Sequence, residues 1–178
     1  AGVDISDHLD KFNGEKSSKL ALKIIGSDSE FGALGVAQNI NQFSELNQEV
    51  AEKLIEKGEA YYVGQNIDKF TDLNQRTAEL LIENDESDVV LENMGKFSIT
   101  DESHLALKII NHNPALGAFD VAQAFDKFTD LNQEVAESLV ENDESYTVLG
   151  NFDKFFLTNE SRLALKIMKH DPDGTYLI

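Results

Sequence analysis

Four asparagines, Asn39, Asn66, Asn93 and Asn151, each stand four residues ahead of a phenylalanine: Phe43, Phe70, Phe97 and Phe155. A primary amide offers two donors and an acceptor, which suits the peptide groups of an extended chain. Gln38, Gln65 and Gln123 stand five residues ahead of Phe43, Phe70 and Phe128, beside the asparagine position, and would widen such a row. The expectation is a binding surface built from these amides. The competing reading is local: each asparagine ties a helix end to the turn that follows it.

Other candidate chemistry is weak. Ser103 and His104 are neighbours, and adjacent residues on a helix do not face each other. No nucleophile elbow, phosphate loop, HExxH pair or Rossmann glycine pattern occurs, and there is no cysteine. Acid clusters at Glu83, Asp85, Glu86 and Asp88, and at Glu141, Asp143 and Glu144, lack the ligand geometry that calcium demands. The expectations are no catalytic residue, no metal and no cofactor. Gly32 and Gly117 read as turn glycines that allow unusual backbone angles.

The elements that must hold the amides follow from a register. Phenylalanines at 12, 43, 70, 97, 128 and 155 are spaced 31, 27, 27, 31 and 27 residues apart. Ahead of them, Val63, Ile67 and Phe70 have apolar spacings that share one stripe of a helix and would fall on both faces of a strand. This is the B helix. A polar turn then leads to a longer A helix, with Val50, Ala51, Leu54 and Ile55 in one segment and Leu105, Ala106, Ile109 and Ile110 in another. Asn47, Asn74 and Asn132 are placed to cap A helices; Thr100 or Asp101, and Thr158 or Asn159, take that place where the spacing is longer. The sequence therefore predicts an all-α chain, an α-solenoid of two-helix repeats of 27 and 31 residues with about twelve helices, forming one domain over 1–178.

The segment Leu46 to Phe70, LNQEVAEKLIEKGEAYYVGQNIDKF, resembles the α-helical solenoid class of HEAT, armadillo and leucine-rich-variant repeats. That resemblance implies a non-enzymatic surface for binding proteins or peptides, or for scaffolding. With 33 Asp and Glu against 15 Lys and Arg, the net charge of −18 repels nucleic acid and favours a basic, extended partner. No apolar run is long enough for a membrane span. The compartment is not specified, and Ala1 in place of Met reads as a processed N-terminus, cytoplasmic or secreted.

A second reading is structural. The chain opens on a B segment, Ile5, Leu9 and Phe12, and closes on an A segment containing Ile167, followed by Tyr176, Leu177 and Ile178. These halves are complementary, so head-to-tail association into a filament or ring is expected to use them. A third reading, an acidic mimic of DNA, rests on charge alone.

Overall fold

The computed structural model describes residues 14–27 and 31–170. Among them the chain is helical, with eleven α-helices. Ile5, Leu9, Phe12, Tyr176, Leu177 and Ile178 lie outside the described residues. No helix among the described residues is long and apolar enough to cross a membrane. The chain divides into two compact units, 1–98 and 99–178.

The first unit holds α1 (Gly14–Ile25), α2 (Gly32–Gln38), α3 (Gln48–Glu56), α4 (Ala60–Gln65), α5 (Gln75–Ile82) and α6 (Ser87–Glu92). The A helices pack in sequence, α1 on α3 and α3 on α5, and each carries its following B helix. Leu54, Leu81, Val50 and Ala51 are fully buried in this packing. Each large aliphatic side chain removed from water contributes about 1.5–3 kcal/mol. The second unit holds α7 (Glu102–His112), α8 (Pro114–Gln123), α9 (Gln133–Glu141), α10 (Ser145–Gly150) and α11 (Glu160–His170). There α7 packs on α8 and α9, and α9 packs on α10 and α11.

Helix starts follow the sequence. Asn47, Asn74 and Asn132 accept the backbone N–H of Val50, Thr77 and Val135. At the longer spacings the caps are Asp101 and Asn159, which accept from His104 and Arg162. Helix ends were not anticipated. Gly58, Asp85 and Asp143 have positive φ of 87°, 64° and 67°, and the next residue's N–H returns to the carbonyl of Leu54, Leu81 or Leu139. This is the closed helix end that a left-handed residue permits. Asp85 and Asp143 in the acid clusters thus serve the backbone.

Three expectations need correction. The B segment is not one helix through its phenylalanine. It is a short α-helix, a break, and a 3-10 turn such as Ile67–Lys69, after which Phe70 begins an extended stretch. The break falls at Asn66, whose φ of −125° and ψ of 30° leave the helix.

The extended stretches also pair, so the chain is not purely helical. β1 (Leu46–Asn47) and β2 (Phe70–Thr71) run parallel, with Leu46 opposite Phe70, and β3 (Leu131–Asn132) and β4 (Phe155–Phe156) do the same. Asn74 and Ser98 form an isolated parallel bridge.

Gly32 and Gly117, finally, are not turn residues. A Cβ there would lie 2.4 Å from the Ile24 carbonyl oxygen and 2.3 Å from that of Ile109. Close approach of a B helix to the preceding A helix requires them, and left-handed backbone does not.

Candidate functional site: a cleft at the turn edge

The asparagines have a shared local task. In each of Asn39, Asn66, Asn93 and Asn151 the amide Nδ2 donates at 2.9 Å to the carbonyl four residues earlier. This bond secures the last turn of α2, α4, α6 and α10, and the amides are half-buried. Asn39 Oδ1 also accepts from Gln42 at 2.9 Å. Asn39, Asn66 and Asn93 belong to the first unit and Asn151 to the second. Gln38, Gln65 and Gln123 are exposed at the ends of α2, α4 and α8.

A concave surface lies elsewhere in the second unit. One cleft of about 690 Å³ is lined by Gln133, Glu134, Glu137, Thr158, Asn159 and Arg162, and by Asn132 and Phe156. A second, of about 390 Å³, runs from Asp101, Glu102 and Thr129 to Asp130 and shares Asn132 and Phe156. Phe156 stands where the two meet, 72% exposed on strand β4. The β3–β4 pairing sets it opposite Asn132, the cap of α9.

Side chains fix the walls. Glu102 accepts the backbone N–H of Thr129 at 2.6 Å and of Asp130 at 3.1 Å, while Ser103 Oγ accepts from Asn132 N–H at 2.8 Å. Gln133 is buried, and its carbonyl accepts from Thr158 and Asn159 N–H at 3.1 and 2.6 Å. Its amide nitrogen donates to Glu137 at 2.6 Å.

Glu137 is the buried charge of the site. Arg162 and Lys166 reach its Oε2 at 2.7 and 3.3 Å, and Lys166 also reaches Glu141 at 2.6 Å. Burial pushes the Glu137 carboxyl up, but the bonds from Gln133 and Lys166, with the charges of Lys166 and Arg162, outweigh it and hold the group below the ordinary glutamate range. In the first unit the matching pairs are Gln48 with Glu52 at 2.8 Å and Gln75 with Glu79 at 3.0 Å.

Asp130 and Glu134 are exposed carboxylates along the cleft. The arrangement offers one apolar anchor, a line of negative charge, and backbone already organised by hydrogen bonds. No cluster of three potential metal ligands occurs among the described residues.

Sequence reasoning missed Phe156, although a signal existed. In the six registers, the residue after the phenylalanine is Asn13, Ser44, Thr71, Ser98, Thr129 and Phe156. Five are small and polar; the sixth is a large aromatic left in water. Of the residues tied to self-association, Ile167 lies buried on α11. Asp68 is bridged by Lys96 from the next segment.

No family model matches the chain, no curated protein matches it, and no solved structure matches it.

Proposed function

We propose that this chain is a non-enzymatic protein-binding module, an α-solenoid of two-helix repeats of 27 and 31 residues, which takes an extended, basic segment of a partner into the turn-edge cleft. The observation that carries this is Phe156, an exposed aromatic at a position of small polar residues, set between two clefts edged by carboxylates. Binding energy concentrates on such aromatic anchors, while flanking charge speeds encounter and sets partner sign. The net charge of −18 has the sign this partner needs.

The test is titration of an extended Lys/Arg-rich peptide into the full chain, followed by calorimetry. Phe156→Ala is expected to weaken binding at least about tenfold, the loss typical of a central anchor. Affinity should fall as salt rises, because the cleft carboxylates are exposed. Asn66→Ala and Asn93→Ala should leave affinity unchanged. Binding lost in the asparagine variants and kept in Phe156→Ala would return the site to the B-helix face.

A further inference from the structure

The two clefts that meet at Phe156 differ in charge. The cleft on the α7 side is lined by Asp101, Glu102 and Asp130, and among the described residues no Lys or Arg lines it. Glu102 accepts from the backbone N–H groups of Thr129 and Asp130 and from the Thr129 hydroxyl. These are neutral donors, so they fix the carboxylate and leave its charge in place. Asp130 beside it is exposed.

The cleft on the α11 side is mixed. It is lined by Glu134 and Glu137 and by one cation, Arg162. Glu137 is matched within the chain, by Arg162 at 2.7 Å and Lys166 at 3.3 Å. The Arg162 side chain nevertheless stays 67% exposed. A guanidinium carries several N–H donors in one plane, and here Nη2 alone is engaged, on Glu137. The remaining donors are free to take a carboxylate in the two-pronged geometry that arginine favours.

The consequence for a bound chain is directional. A Lys or Arg laid along the α7 side meets carboxylates only. The same residue carried past Phe156 meets Arg162, and like charges brought together in a cleft are costly. The net charge of −18 would by itself favour a segment that is basic throughout. That whole-chain field fades within about 8 Å at physiological ionic strength, so there the groups in direct contact decide.

We infer that the partner segment is of mixed charge: Lys or Arg on one side of an apolar anchor, against Asp101, Glu102 and Asp130, and Asp or Glu on the other side, paired with Arg162. The anchor rests on Phe156. This deepens the reading of the turn-edge cleft as a peptide site, and rests on it. It makes Arg162 the residue that sets specificity, while Phe156 supplies affinity to any segment that fits.

The probes are four peptides with a central phenylalanine, titrated into the full chain by calorimetry at physiological ionic strength. One has lysines on both sides; one has lysines before and aspartates after; one has that order reversed, since the segment can run either way; one has aspartates on both sides. One of the two mixed peptides should bind at least about fivefold more tightly than the all-lysine peptide, and the all-aspartate peptide should not bind. Arg162→Ala should remove that advantage and Arg162→Glu should reverse it, while Phe156→Ala weakens the all-lysine and mixed peptides alike. At low ionic strength the advantage should shrink as the whole-chain field extends. An all-lysine peptide that binds as tightly as either mixed one, and is still weakened by Phe156→Ala, would overturn the inference and leave a simple site for basic segments. An equal loss for every peptide in Arg162→Ala would make Arg162 structural and overturn it as well. Binding that ignores Phe156→Ala, or no binding by any peptide, would remove this inference together with the reading beneath it.

Discussion

Helices α9 and α11 share a register and nearly a sequence pattern, and differ in what lies on their following side. Val140 and Met168 occupy one position, yet Val140 is 0% exposed and Met168 58%. The difference shows that burial here belongs to the neighbour and not to the helix. A single helix pair of this size cannot hide its own apolar face, and α11 supplies the cover for α9.

A single introduced charge should separate the two helices most strongly. Val140→Asp places an unpaired carboxylate among fully buried neighbours and is expected to cost more than about 4 kcal/mol, enough to unfold the second unit. Met168→Asp, on an exposed side chain, should stay within about 0.5 kcal/mol. Urea unfolding followed by circular dichroism distinguishes them; equal losses would mean that α11 is covered like α9.

The aromatic pair sharpens the same contrast. Phe125→Ala removes a ring packed on Phe155 and under Lys154, for an expected loss of about 3–5 kcal/mol. Phe152→Ala removes a ring already partly in water and should cost less than half as much, about 1–2 kcal/mol. A ratio near one in chemical denaturation would argue that Phe152 is covered like Phe125.

How far the sequence carried this reading depends on which interactions are local. Val63, Ile67 and Phe70 were recognisable as one buried stripe from spacing alone, and all three are buried. Asn47, Asn74 and Asn132 were recognisable as caps because the bond closes within three residues. The pairing of Leu46 with Phe70 was not, since it joins residues 24 apart and leaves no local mark. Gly117 was misread because its need is set by Ile109 on another helix. Phe156 was visible only as an exception to a pattern of small polar residues, and exceptions gain meaning once the cleft is known. Of the candidate site, the amides were legible as a row in register, but the bond from each to its own helix required coordinates.

Electrostatics gives a smaller contrast between the same two helices. Where α9 has Glu137, gripped by Arg162 and Lys166, α11 has Leu165. Glu137→Gln should cost about 1–2 kcal/mol at neutral pH, a buried charged acceptor discounted for the exposure of Arg162. The Glu137 carboxyl is held below the ordinary value of 4.5, so its stabilisation is complete above that pH and is lost as pH falls through the lower, folded value. The gap between wild type and Glu137→Gln should therefore be widest at neutral pH and close below about 4.5. A gap that widens with acid would show that burial, and not the two cations, governs this group. Leu165→Gln should show no such pH dependence.

The smallest effect concerns the turn that ends α9. Asp143 holds φ of 67°, in a closed helix end that the first unit builds with Gly58 at φ of 87° in the matching place. An L-residue is strained in this region, though aspartate less than most, whereas glycine is not. Glycine also gains more freedom in the unfolded chain, which offsets part of the relief. Asp143→Gly is thus expected to stabilise the second unit by up to about 1 kcal/mol, and Gly58→Asp to destabilise the first by a similar amount. Both shifts should appear in the unfolding midpoint with no change in slope, since neither alters the surface exposed. Destabilisation by Asp143→Gly would assign the Asp143 carboxylate a bond worth more than the strain, and would make the acid cluster beside it more than a turn.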